Sequence, residues 1–265
     1  MKIFMSVDIE GINGIVNWDE TEADSPRYKE FKEELQREVN AACRGALKAG
    51  ATEIVIKDAH DSARNLNTLD LPVEAKLLRG WEGSPCSMMA GLDSSFDAVM
   101  FVGYHSPCRS NGNSLSHTMN TNNLHVKIND VIASEFTINS YYASTLGVPV
   151  AFLSGDKNLT EIVKTMNPNI ETVASKEGLH NAVISKHPSI TSQEIEEGAY
   201  KALKKDLSKN IVPLPKTFDV EIAYKKHTDA YSRSFFPGCK LVGSDCVNYK
   251  SDNYNDVLVM LKFIL

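Results

Sequence analysis

Apolar residues recur along this chain with two different periods, and their alternation predicts a layered α/β protein. Residues 2–7 form a short apolar run that ends at the carboxylate of Asp8, and residues 30–49 carry Phe31, Leu35, Val39, Ala42 and Ala46 at helical spacing before Gly50. Glu53-Ile54-Val55-Ile56-Lys57 is strand-like and stops at Asp58-Ala59-His60. Strand, helix and strand in that order make a βαβ crossover. A third apolar run, Phe96 to Val102, ends at Gly103-Tyr104-His105, and a fourth, Val148 to Leu153, ends at Ser154-Gly155-Asp156. Continuous apolar strands separated by helical segments belong to a parallel sheet covered on both faces.

Between the third and fourth runs the pattern changes. Residues 125–128 and 131–133 flank Asn129-Asp130, a turn pair that predicts a small hairpin, and a helix is expected from about Ser134 to Leu146 with Gly147 as its stop. Thr191 and Glu194 have the spacing of a capping box and predict another helix reaching about Leu207. Pro213 and Pro215 then precede β-rich sequence from Thr217 and a last helix near Val257 to Phe263. The expected architecture is a mostly parallel sheet flanked by helices over residues 1–212, carrying the chemistry, followed by a smaller α+β portion over residues 213–265. That boundary is soft, and one continuous domain is equally compatible with the pattern.

Composition narrows the function classes. A chain of 265 residues, 42% of them hydrophobic, can bury a substantial core. The net charge of −6, with acidic and basic residues mixed along the chain, leaves no basic footprint for a nucleic acid. The first apolar run is too short for a secretory core or a membrane span, so a cytoplasmic protein without a membrane partner is expected. The five cysteines (Cys43, Cys86, Cys108, Cys239 and Cys246) include no Cys-x-x-Cys pair, and most read as reduced packing residues. Cys108 lies close to His105, but nothing beside it would activate a thiolate.

Candidate chemistry gathers where strands end. Asp8 and Glu10 are two residues apart, and an extended chain would point both carboxylates to one side. His60 and His105 each follow a strand, and open parallel sheets bind their ligands at the carboxyl edge. A lone histidine after a strand is commonly a capped or solvated loop residue; three strands delivering polar groups to one rim are a different matter. Glu135 is a further candidate at the start of a helix, where an acidic residue is also favoured by the helix dipole, and spacing does not separate the two readings. Charge does. Asp8, Glu10 and Glu135 bring three negatives, and two divalent cations would leave one positive for a hydroxide to cancel, whereas three clustered carboxylates alone would repel one another. His117, in a polar stretch before the hairpin, reads as a mobile proton carrier or as a surface loop histidine. Asp58 either holds the His60 imidazole in one tautomer or simply ends its strand. His125, His180, His187 and His227 have no such company and read as solvated or structural.

Ser6-Val7-Asp8-Ile9-Glu10-Gly11 resembles the Ser-x-Asp-x-Glu-Gly signature of the zinc-dependent D-aminopeptidase family, the DppA-like peptidases. Asp58-Ala59-His60, Gly103-Tyr104-His105, Ser116-His117-Thr118-Met119 and Glu135 through Asn139 resemble later segments of the same family in the same order, as do Gly155-Asp156 and Pro237-Gly238. The resemblance covers essentially the whole chain. It implies a two-zinc site in which Asp8 bridges, Glu10 and His60 serve one metal, His105 and Glu135 serve the other, and His117 is catalytic. It also implies homo-decamers of two stacked five-membered rings, and short peptide substrates whose first residue is D-Ala or another small D-amino acid. Ala59 and Thr118 stand where the family has serine, and residues 13–24 differ in detail, departures that bear on the substrate rather than on the ligands.

Two other readings compete with this one. Asp8-x-Glu10-Gly11 superficially resembles the Asp-x-Asp element of haloacid-dehalogenase-type phosphohydrolases, which use a nucleophilic Asp and one Mg²⁺ and have no use for His60 and His105. A non-catalytic peptide-binding protein would bind its ligand without turnover. Carboxylate and imidazole ligands also suit Mn²⁺ or Co²⁺.

Overall fold

A computed structural model describes all 265 residues. The chain forms β1 (Lys2–Val7), α1 (Tyr28–Ala49), β2 (Glu53–Asp58), β3 (Ala75–Leu78) and β4 (Ala98–Tyr104), and then β5 (Asn123–Ile128), β6 (Val131–Ile132) and α2 (Glu135–Thr145). It continues through β7 (Val150–Asp156), α3 (Lys157–Met166), β8 (Glu171–Leu179), β9 (Ala182–Ser185) and α4 (Pro188–Lys204). The last elements are β10 (Phe218–Tyr224), α5 (His227–Arg233), β11 (Lys240–Leu241), β12 (Cys246–Ser251) and α6 (Tyr254–Ile264).

Seven strands make the main sheet in the order β3-β2-β1-β4-β7-β8-β9, all neighbours parallel except β8 and β9. Both faces are covered, as continuous apolar strands require. Along β1, Ile3, Met5 and Val7 pack into one core with Leu35 and Val39 of α1 and Ile195 of α4, while Phe4 faces the opposite core with Phe101, Phe136 and Leu159. The chain leaves β1 for β2 on one side and enters β4 on the other, so the strand order reverses between β1 and β4. In open α/β sheets that reversal opens a crevice at the carboxyl ends of the strands.

A second, antiparallel sheet has the order β11-β12-β10-β5-β6, with α5 and α6 against its core. Its central strand β10 turns Val220 and Ile222 inward, with Ile222 opposite Val126 of β5 and Val247 of β12. The hairpin β5-β6 turns through Asn129 and Asp130, both at positive φ (52° and 64°), as a two-residue loop of this hand needs. These two strands come from residues 123–132, so the smaller portion is not built from residues beyond 212 alone.

Some expected detail is replaced. The fourth helix begins at Pro188, with the His187 side chain accepting from the Ser189 N–H. Thr191 therefore lies a turn inside the helix with its hydroxyl buried, and the expected capping box with Glu194 does not form. A proline at the first helical position is the stronger start signal, because its missing donor would be unsatisfied there anyway. No helix is long and apolar enough to cross a membrane.

Candidate metal centre

The crevice between β1 and β4 is made tight by two glycines. The Gly11 N–H donates to the Gly103 carbonyl at 2.8 Å, and a Cβ on Gly11 would fall 1.9 Å from the Tyr104 carbonyl oxygen. Gly103 adopts a φ of +73°, and a Cβ there would meet the Asp8 carbonyl at 2.2 Å. Only glycine permits this approach of two backbones. β1 itself stops at Val7, so Asp8 and Glu10 converge through a turn, with the Ile12 N–H donating to the Ile9 carbonyl, and not through the two-residue repeat of a strand. The expected convergence is present; its cause is different.

Asp8, Glu10, His60, His105, Glu135 and His117 all meet in this crevice. Each imidazole has one nitrogen against a backbone carbonyl: His60 Nε2 at 3.0 Å from Thr21 O, His105 Nδ1 at 2.9 Å from Ser106 O, and His117 Nδ1 at 2.8 Å from Leu115 O. In each case that nitrogen donates, which leaves the other nitrogen's lone pair facing the carboxylates. His60 Nδ1 lies 3.4 Å from Asp8 Oδ1 and 3.2 Å from Glu10 Oε2. His105 Nε2 lies 3.5 Å from both Asp8 Oδ2 and Glu135 Oε1, and His117 Nε2 is 3.6 Å from Glu135 Oε1 and 3.9 Å from Glu10 Oε1.

These separations test whether a cation fits. Charge-assisted hydrogen bonds close to about 2.7–2.9 Å, whereas ligands bound at about 2.0–2.2 Å on a tetrahedral ion sit roughly 3.3–3.6 Å apart. The approaches match the second case. His105 Nε2 and Glu10 Oε2 are moreover buried without a hydrogen-bond partner. The donor atoms fall into two groups that could each hold an ion, Asp8 with Glu10 and His60, and Asp8 with His105 and Glu135. Asp8 gives one oxygen to each group. A third combination joins Glu10, His105 and His117.

The chain's own charges are strongly coupled here. Burial raises the Asp8 carboxyl well above its usual range, and the neighbouring Glu10 adds to this. Burial acts the same way on Glu10 and Glu135, but the imidazoles outweigh it: His60 foremost for Glu10, and His105 for Glu135, which is held down to about 2. Conversely His105 is pushed up to about 10, because Glu135 and its neighbours outweigh the cost of burying a charge. Bound protons and bound cations compete for one and the same negative pocket. His117 differs: burial and then the adjacent His105 lower its pKa.

The supporting residues were mostly not evident from sequence. Asp58 does not touch an imidazole. Its oxygens accept from the N–H groups of Asn65 and Leu66 and from the Asn65 side chain, fixing the loop that carries His60. The Thr21 carbonyl orients His60 instead. Asp156 accepts from the Ser106 N–H and hydroxyl, from Asn113 Nδ2 and from the Leu159 N–H, while Asn113 Nδ2 and the buried Lys176 ammonium donate to the Glu10 carbonyl. One carboxylate thus braces segments that carry two of the candidate ligands. Tyr104 Oη bridges Ser6 and Asn139 beneath the site. Asp61, Ser87 and Met119 line the cleft at positive φ; at Met119 the strain aims its N–H at Glu135 Oε1, 2.7 Å away. As expected, His125 and His187 have structural partners, Glu221 and the start of α4, and the five cysteines are free.

Comparison with known proteins agrees over the full length. The family model Peptidase_M55, described as D-aminopeptidase, matches residues 1–263. The D-aminopeptidase of Bacillus subtilis (strain 168) is 30% identical over 274 residues, covering 100% of this chain and 98% of that protein. Among solved structures, the Zn-dependent D-aminopeptidase DppA from Bacillus subtilis, a self-compartmentalizing protease, matches with a TM-score of 0.91 at 28% identity, over 98% of this chain and 95% of that one.

Proposed function

We propose, on the premise that the chain belongs to the Peptidase M55 family of D-aminopeptidases, that it hydrolyses short peptides whose first residue is a D-amino acid such as D-Ala, at a site holding two zinc ions. The observation that carries this reading is the position of Asp8, whose two oxygens face different histidines, Oδ1 toward His60 and Oδ2 toward His105. Asp8 would bridge the pair, with Glu10 and His60 completing one ion's ligands and His105 and Glu135 the other's. The unpartnered His105 Nε2 and Glu10 Oε2 fit that assignment. A phosphohydrolase that attacks through its first aspartate uses one Mg²⁺ and has no use for the two histidines that Asp8 faces.

When bound, the two ions would supply an acidified water and polarise the scissile carbonyl. The chain's own groups do the rest. His117 lines the cleft, and its lowered pKa keeps Nε2 unprotonated near neutral pH, ready to take a proton and deliver it to the leaving amine. Trp18 packs edge-on against its ring, 5.2 Å between centroids, and limits where the imidazole can swing.

A homo-oligomer, in the finer form a decamer of two five-membered rings, accompanies this function. Its support is the self-compartmentalizing relative and a set of exposed aromatic residues on and just after the helices of the smaller sheet, Tyr231, Phe235 and Phe263, which stand 60–71% exposed. The direct test measures zinc per chain and follows hydrolysis of D-Ala-D-Ala beside L-Ala-L-Ala, before and after chelation. Two zinc ions and a chelator-sensitive preference for the D-peptide are expected; turnover that survives complete metal removal overturns the reading.

A further inference from the structure

The cleft above the carboxylate cluster holds about 530 Å³. Acidic groups dominate its lining: Asp8, Glu10, Asp61 and Glu135. Among all the side chains that line it, Lys262 alone carries a permanent positive charge. This lysine lies in the last turn of α6 and also edges a smaller pocket of about 230 Å³, whose apolar wall includes Pro85, Ile138, Leu258 and Leu261. Ser87, Met119, Asn120 and Lys262 line both spaces, so the two adjoin.

Lys262 is exposed and has no partner within the chain. Lys76, Lys127 and Lys157 reach carboxylates at 2.8–3.0 Å, whereas the Lys262 ammonium makes no ion pair and no hydrogen bond. Its backbone is nonetheless fixed with respect to the site. The Asn120 side-chain amide donates to the Leu265 carbonyl at 2.8 Å, and the neighbouring Met119 N–H donates to Glu135 Oε1 at 2.7 Å. Two hydrogen bonds through consecutive residues therefore tie the end of α6 to a candidate ligand.

A short peptide offers this cleft three handles: an amino end, a scissile carbonyl and a terminal carboxylate. The acidic floor answers the first, and the bound ions would answer the second. Away from the candidate ligands, where the ions and the scissile carbonyl would sit, Lys262 is the one cationic side chain lining this space that could meet that carboxylate. Each extended residue spans about 3.3–3.6 Å, so the carboxylate of a dipeptide lies within about 7 Å of its amine, and a lysine's flexible four-carbon stem adapts to such a target. We propose that Lys262 binds the terminal carboxylate of the substrate, so that the protein selects short peptides ending in a free carboxylate over their amides. The side chain of the residue on the leaving side then rests on the apolar wall at Leu258 and Leu261. This inference rests on the peptidase reading above.

The test compares kcat/KM for D-Ala-D-Ala and for D-alanyl-D-alaninamide, using the zinc-loaded full-length protein as wild type, K262Q and K262R. The wild type is expected to favour the free acid. In K262Q the acid-over-amide ratio falls about tenfold or more, through KM for the acid and not through kcat, the size expected for one charge-assisted hydrogen bond; K262R retains most of the ratio. Because the ratio is internal to each preparation, partial loss of folded protein does not alter it. A wild type without preference, or a K262Q ratio equal to wild type, overturns the assignment while the peptidase reading stands. A wild type that cleaves neither peptide removes both.

Discussion

The imidazole rings of His105 and His117 are stacked, with centroids 4.3 Å apart and planes 13° from parallel. Both Nε2 atoms approach the same oxygen of Glu135, at 3.5 and 3.6 Å, yet the two residues are placed for different work. His105 is fully buried at the end of β4, whereas His117 sits on a loop, lines the cleft and reaches solvent.

That difference separates two substitutions. His117→Ala should lower kcat by about a hundredfold or more, the usual worth of a positioned proton carrier, while zinc per chain stays at the wild-type value. His105→Ala should release zinc as well as activity. Metal analysis alongside single-turnover kinetics distinguishes them, and loss of metal from the His117 variant would make that residue a ligand.

Asp156 touches no candidate ligand directly, yet it holds Ser106 next to His105 and Asn113 against the Glu10 carbonyl. Asp156→Ala leaves several buried donors unsatisfied at about 1–3 kcal/mol each, and it also removes the N-cap of α3. A loss of several degrees in Tm is expected, with zinc affinity reduced roughly tenfold to a hundredfold as for other outer supports of metal ligands. Asp156→Asn, which keeps an acceptor for the Leu159 N–H, should recover part of the Tm but little of the affinity. Equal zinc affinity in all three proteins would show that the brace serves only folding.

Glu38 gives the fold a pH dependence of its own. It is buried in α1, accepts the Asn13 N–H at 2.9 Å with one oxygen and leaves the other without a partner. Burial pushes its carboxyl up to about 8. Because the folded pKa lies above the unfolded value of about 4.3, its favourable contribution is complete below that value and is lost as pH rises through about 8. Glu38→Gln keeps the acceptor and cannot ionise. Its stability should match wild type near pH 4 and exceed it increasingly toward pH 8, by on the order of a few kcal/mol at the upper end, read as a widening gap in Tm. Parallel Tm curves across that interval would show that Glu38 stays ionised in the fold.

The exposed aromatic face is the candidate contact between copies. Tyr231 and Phe235 pack edge to face at 5.2 Å, and Phe263 stacks on Phe236 at 6.2 Å. Replacing Phe235 and Phe263 together by serine should lower the mass measured by light scattering while the far-ultraviolet circular dichroism stays unchanged. An unaltered mass would place the subunit contact elsewhere.

The main sheet was legible because its strands are buried on both faces and so read as unbroken apolar runs; β1, β2, β4 and β7 were all evident within a few residues. β8 and β9, at the sheet's far edge, are largely half-exposed or exposed, and their mixed sequence carries no such signal. For the candidate site, the residues that meet were legible because strand ends place them on one rim. The turn that brings Glu10 beside Asp8 was not, since it depends on Gly11 and Gly103 sharing a space that only contact between distant segments defines. Asp58 shows the limit of proximity in sequence: two residues from His60, it spends its oxygens on backbone groups of its own loop.

Because β5 and β6 leave the main layer after β4 and return through Ser134 into α2, the His117 loop and Glu135 lie at the two ends of an excursion into the smaller sheet. A fragment ending at residue 212 would leave β5 without its partner β10 and the Val126 side of that sheet open to water. The last fifty residues are thus scaffolding for the reaction centre as much as an appendage to it, and the molecule is expected to melt in one transition.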